Sequence, residues 1–144
     1  MPAPARVDPR GPRFAAAVTT VVLAVVLVTG WWPVLAAQAV VFAVGALAGP
    51  TATPYALLYR RFVAGRLAPP AERESVAPLR FAQAVGLAFA VVGTVGYVAG
   101  LTALGMVATA LALFAALLNA VFNVCLGCQV YLLLQRVTPR TERA

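Results

Sequence analysis

Four apolar runs decide what this chain can become: Phe14 to Gly30, Pro33 to Gly49, Phe81 to Ala99 and Leu101 to about Val124. Each is near the ~20 residues that let a helix cross ~30 Å of hydrocarbon, and the first two are short enough to stand with little tilt. Only "GWWP" separates the first two, and only Gly100 and its neighbours the second two. Such tight, uncharged connections predict two helical hairpins, with Trp31 and Trp32 suited to the interfacial aromatic belt. At 144 residues, 62% hydrophobic and 10% charged, a soluble domain could not cover its apolar surface, so the bilayer must be the solvent. The expected fold is all-α and integral to the membrane: a single domain of four transmembrane helices in two hairpins, with short cytoplasmic interfacial helices. Its spans fall at about 14–30, 33–49, 81–99 and 101–124, with a cytoplasmic linker at 50–80 and a cytoplasmic C-terminal segment at 125–144.

Charge orients this arrangement. All eleven cationic residues are arginine, a bias expected of a GC-rich bacterial coding sequence. Arg6, Arg10 and Arg13 precede the first span, Arg60, Arg61, Arg66, Arg73 and Arg80 fill the central segment, and Arg136, Arg140 and Arg143 close the chain. The hairpin tips hold none. The positive-inside bias then puts both termini and the central segment in the cytoplasm of a bacterial cell, with the chain multi-pass in the inner membrane. The net charge of +7 is explained by that orientation, and no aromatic-basic reading motif points to nucleic acid. "RVDPRGPRF", the apolar run after it and "LAAQA" imitate a signal peptide, but the apolar sequence resumes at once as "VVFAVGALAG", so retention is expected.

The halves read as a parallel repeat. "RFAAAV" at Arg13–Val18 recurs as "RFAQAV" at Arg80–Val85, and "YALLYR" at Tyr55–Arg60 as "YLLLQR" at Tyr131–Arg136. Chance similarity between alanine-rich helices is the competing explanation. In the central segment Tyr55, Leu58, Tyr59, Phe62 and Val63 recur at helical spacing opposite Arg60 and Arg61, which predicts a short amphipathic helix in the headgroup layer, either docking lipid or a partner or simply connecting the spans. Gly65, "APP" at Ala68–Pro70 and "PPAERESVAPLR" describe a proline-bounded polar linker.

Ala82, Gly86, Ala90, Gly93, Gly96 and Gly100 form a small-residue ridge on the third span, and Gly105, Thr109, Ala112, Ala116, Asn119 and Asn123 a matching stripe on the fourth. The two are expected to face each other. Asn119 and Asn123 need polar partners in hydrocarbon, for which Gln38 and Gln83 are candidates, as a structural hydrogen bond or as part of a transport pathway.

The candidate site is "NVCLGCQVY", Asn123–Tyr131, which holds the only two cysteines, in a chain without histidine. Leu101–Arg136 is too long for one crossing, so the chain is expected to turn near Asn123–Gly127, with Asn123 as N-cap of a short helix and Cys125 in its first turn. A helix N-terminus favours thiolate, which suits Cys125 as attacking and Cys128 as resolving thiol. Three readings stay open: a redox or sulfur-carrier pair, a metal site completed across a dimer or by weaker donors, and two inert packing residues. No cofactor motif is present, and two cysteines do not make a zinc site.

"RFAQAVG", "CLGC" followed three residues later by Tyr131, and "DPRGPRF" resemble the membrane family known as domain of unknown function 4395, over nearly the whole chain. Leu79 stands where that family has a second proline, and Gln129 where it has an acidic or variable residue. The resemblance implies four spans and a thiol-linked role with a thioredoxin-like or sulfurtransferase partner, without an established activity. The chain is also similar to quinone-linked membrane thiol oxidoreductases, which join four spans to a Cys-x-x-Cys on the outer face. The arginines here place the pair inside, which argues against disulfide export through quinone and for exchange with a cytoplasmic carrier.

The sequence thus points to thiol-disulfide or sulfur-relay exchange with a soluble protein through Cys125 and Cys128. The alternative is a non-enzymatic membrane scaffold or small transport component with structural cysteines. No triad, carboxylate dyad or phosphate loop supports other enzyme chemistry, and the exposed ridges leave homo-oligomerisation open.

Overall fold

Pro12 and Pro78 fall near the starts of the first and third apolar runs, where a helix tolerates a missing N–H because its first four donors have no intrahelical acceptor. In a computed structural model of the chain, which describes residues 6–7, 10–63 and 74–137, helices accordingly begin upstream of both apolar runs. The order is α1 (Arg10–Thr29), α2 (Trp32–Leu47), α3 (Pro54–Phe62), α4 (Val76–Val98), α5 (Thr102–Phe122) and α6 (Leu126–Val137), with a 3-10 turn at Pro50–Ala52 before α3. β1 (Arg6–Val7) pairs antiparallel with β2 (Glu74–Ser75), a small addition to the all-α expectation. Gly65, Ala68, the first part of the polar linker (69–73), Arg66, Arg73, Arg140, Arg143 and the Asp8–Pro9 step of "DPRGPRF" lie outside the described residues.

Among the described residues three helices, α1, α4 and α5, are long and apolar enough to cross a membrane, with mean hydropathies of 1.9, 1.7 and 2.1. Only 22%, 17% and 17% of their apolar windows is buried within the protein, so most of that surface needs lipid. α2 is equally apolar but holds 16 residues, ~24 Å of helix. Thr20, Thr29, Thr94 and Thr109 each donate their hydroxyl to the carbonyl four residues back, at 2.7–2.8 Å, which satisfies them without a partner helix.

Gly30 (φ 68°) and Gly100 (φ 83°) close the two tight turns in left-handed conformations that favour glycine. The arms joined at Gly30 meet little, whereas those joined at Gly100 pack on each other: α2 lies mainly against α4, α1 against α5, and α4 against both α2 and α5. Glycines set these contacts. A Cβ on Gly86 would stand 2.7 Å from the Phe42 ring and one on Gly93 2.8 Å from Leu35, both of α2, whereas one on Gly96 would stand 2.8 Å from the backbone N of Gly105 in α5. The ridge on α4 therefore serves two neighbours instead of α5 alone. The core between the helices centres on Leu23, Val26, Leu35, Phe42, Ala90 and Ala112.

The two halves are joined by exchanged contacts. Arg13 at the start of α1 donates to the carbonyl of Ala120 near the end of α5 (3.1 Å). Arg80, its counterpart in α4, donates to Ala46 (3.0 Å) and Leu47 (2.6 Å) at the end of α2. Within each half the surface helix returns to its own first helix through an aromatic pair, Phe14 with Tyr59 (5.8 Å) and Phe81 with Tyr131 (5.6 Å). These contacts match Tyr131 with Tyr59, one turn later than the Tyr55 that sequence similarity alone aligns with it.

Candidate functional site

α5 ends where Asn123 turns left-handed (φ 57°, ψ 33°), and the N–H of Val124 folds back on the Leu118 carbonyl at 3.2 Å. Asparagine accepts this conformation more readily than most residues. Asn123 is thus the C-cap of α5, not the N-cap of the helix after it. The N-cap of α6 is Cys125: its carbonyl accepts the N–H of Gln129 (3.0 Å) and its Sγ accepts the N–H of Cys128 (3.2 Å). Cys128 follows one turn on, with its Cα 5.2 Å from that of Cys125, and the two sulfurs are joined as a disulfide. Sequence reasoning located the break and the pair but placed Cys125 two positions too far into the helix.

The residue between the cysteines that matters most is Gly127. A Cβ there would lie 2.7 Å from both Cα and Cβ of Ala82 in α4, so the first turn of α6 can cross α4 this closely only without a side chain. Both cysteines are half-buried, while Val124, Leu126 and Gln129 are exposed around them. Among the described residues no group of three or more Cys, Asp or Glu side chains gathers to hold a metal.

Behind the pair lies a cavity of about 790 Å³ walled by α1, α2, α4 and α5 and floored by α3 and the start of α6, with Cys125, Gly127, Asn119, Gln83 and Gln38 among its lining residues. Gln38 is 1% exposed. Its Oε1 accepts the Tyr55 hydroxyl at 2.6 Å, and its Nε2 has no partner among the described residues. Burial pushes the Tyr55 hydroxyl above the ordinary tyrosine range, so it stays protonated as a donor. The expected pairing of Asn119 and Asn123 with Gln38 and Gln83 does not occur: Asn119 lines the cavity and Asn123 is an exposed cap. Gln83 instead lies on Gly45, where a Cβ would approach its Oε1 to 2.6 Å. Sequence reasoning missed the Tyr55–Gln38 bond. The signal for it was a glutamine in an apolar helix, which needs a partner, but nothing in the spacing named Tyr55.

Arg13 at Ala120, Arg80 at Ala46 and Leu47, and Arg60 at Thr51 lie where α2 and α5 end, and Cys125 follows the end of α5. Comparison with curated proteins and with solved structures finds no match. The profile described as Domain of unknown function (DUF4395) matches residues 7–136, which include both halves and the cysteine pair, and the chain belongs to that family.

Proposed function

We propose that the protein is a four-span bacterial inner-membrane protein, termini cytoplasmic, whose Cys125–Cys128 pair exchanges a disulfide with a soluble thioredoxin-like or sulfurtransferase partner. The observation behind this reading is the position of Cys125 at the N-cap of α6, its sulfur facing the Cys128 N–H. A thiolate there is stabilised by that donor and by the helix dipole, which lowers a cysteine pKa. In the forward direction the Cys125 thiolate attacks one sulfur of the partner's disulfide and expels the partner's other sulfur as thiolate. Cys128, deprotonated, then attacks Cys125 Sγ, which releases the second partner thiol and leaves the intrachain disulfide. Two electrons pass from this chain to the partner, and the reverse sequence returns them.

The membrane arrangement has its own support. α2 is short, yet it lies against the middle of α4, from Leu35 at Gly93 to Gly45 at Gln83, and α4 is long enough to span. This supports reading α2 as a fourth span, and the positive-inside bias supports placing the arginine end inside.

A second reading, a non-enzymatic scaffold with structural cysteines, draws on Thr53. Its Oγ1 caps α3 by accepting the Ala56 N–H, as Cys125 caps α6, without any thiol chemistry. The experiment that separates them uses membranes holding the reduced Cys128→Ser variant, mixed with oxidised thioredoxin. Exchange traps a mixed disulfide at Cys125; a structural cap leaves thioredoxin oxidised and unlinked.

A further inference from the structure

The cavity behind the cysteines has a mouth and an anchor that thiol exchange does not use. Four of its lining side chains are exposed and apolar, Leu111 (51%) and Phe114 (56%) of α5 and Leu126 (37%) and Val130 (45%) of α6, and they form its rim. Leu111 and Phe114 lie near the middle of α5, a helix long and apolar enough to cross a membrane, so what meets them from outside is lipid. The lining follows α4 from Leu79 to Phe89, ~15 Å of helix. Its volume of about 790 Å³ falls within the ~300–1,000 Å³ of ligand pockets.

The anchor is Gln38, which is 1% exposed in an apolar helix with only half of its amide satisfied. Tyr55 donates to Oε1 and so fixes the amide, leaving the Nε2 donors without an acceptor among the described residues. A buried donor of this kind is costly until an oxygen reaches it. That oxygen has to be neutral, because an ionised carboxylate would lose its hydration there without gaining a counter-charge. Among the described residues the lining holds no carboxylate and one cation, Arg60, which is exposed and donates to the Thr51 carbonyl at 2.7 Å.

We propose that the cavity binds a glycerolipid of the surrounding bilayer, one acyl chain lying along α4 and the ester carbonyl of that chain accepting from Gln38 Nε2. An acyl ester joins the two things the site asks for, an uncharged acceptor and a long aliphatic body, and it reaches an apolar mouth from lipid. A free fatty acid brings the same chain, but as a carboxylate. The site involves no sulfur chemistry and stands apart from thiol exchange.

The test compares dioleoylphosphatidylglycerol with its diether analogue, which has the same head group and chains of like length but no carbonyl. Delipidated full-length protein in detergent is titrated with each lipid and followed by native mass spectrometry. Wild type is expected to hold one ester lipid and to bind the diether about tenfold more weakly. Gln38→Leu/Tyr55→Phe and Gln38→Met/Tyr55→Phe remove both halves of the hydrogen bond, so no buried hydroxyl is stranded. Both are expected to bind the two lipids alike with an unchanged helical circular dichroism spectrum. Equal binding of ester and diether by wild type overturns the site, and that comparison decides the matter even if both variants fold poorly. An ester preference that persists in a well-folded variant, or displacement of the ester lipid by equimolar oleate at pH 8, also overturns it.

Discussion

Thr53 and Cys125 hold the same station in the two halves of the chain: each precedes a short surface helix, and each accepts at 3.2 Å the backbone N–H three residues on. The two halves solve one capping problem with different atoms, oxygen in the first and sulfur in the second. Capping therefore cannot by itself explain why the second half has cysteine. With Cys125→Thr, α6 in the reduced protein is expected to keep its stability to within about 0.5 kcal/mol, against a loss of ~1 kcal/mol for Cys125→Ala. Chemical unfolding followed by circular dichroism measures both. Exchange with thioredoxin should vanish in either variant; its survival in Cys125→Thr would remove Cys125 from the chemistry.

Gly127→Ala tests the close crossing of α6 over α4. The new methyl would meet the Ala82 backbone, which cannot rotate away as a side chain could. We expect a loss of about 1–3 kcal/mol, measured by unfolding in detergent, and slower re-formation of the disulfide after reduction because α6 is pushed off its seat. Ala82→Gly should recover only the part of both losses due to the Ala82 Cβ, because the contact with its Cα remains.

The arginines that cap helix ends should differ in weight. Arg80 donates twice to the end of α2, whereas Arg13 shows one bond to Ala120. Arg80→Gln is expected to cost about 1 kcal/mol and Arg13→Gln roughly half of that, consistent with exposed cations at helix C-termini. Equal losses in thermal unfolding at low salt would mean that these bonds contribute little.

Tyr55 gives the protein an alkaline limit. Its folded-state pKa is raised by burial above the ordinary value of 10.0, so above that pH the unfolded chain releases the proton first. The stabilisation is complete below about pH 10 and falls as pH climbs toward the raised value. Melting temperatures across pH 8–11 should drop more steeply in wild type than in Tyr55→Phe.

Much of this architecture was legible in the sequence, because lipid imposes few solutions. Long apolar runs had to be helices, and Gly30 and Gly100 had to end them. The break after α5 followed from length alone. What the sequence hid was partnership. Which helix the Gly86 and Gly93 notches admit depends on the facing Phe42 and Leu35, far away in the chain, so α2 could not be recognised as their occupant. The cap of α6 was misassigned by two residues because asparagine suits both a helix N-cap and a left-handed C-cap; only the fold-back of Val124 on Leu118 decides between them. The similarity of the halves was visible, but the aromatic contacts pair Tyr131 with Tyr59 and not with the Tyr55 that sequence aligns, since tyrosine recurs four residues apart in α3 and only the pairing with Phe14 chooses Tyr59.

The sulfur pair, at the end of the bundle that holds Arg13 and Arg80, is proposed to be reactive and to face the cytoplasm. The most direct measurement is labelling with a membrane-impermeant maleimide in inside-out and right-side-out vesicles, before and after oxidant. The account predicts rapid labelling of reduced Cys125 and Cys128 in inside-out vesicles only, reversible protection by oxidant, and no such protection in Cys125→Ser or Cys128→Ser. Labelling confined to right-side-out vesicles, or thiols that neither label nor oxidise in folded protein, would contradict it.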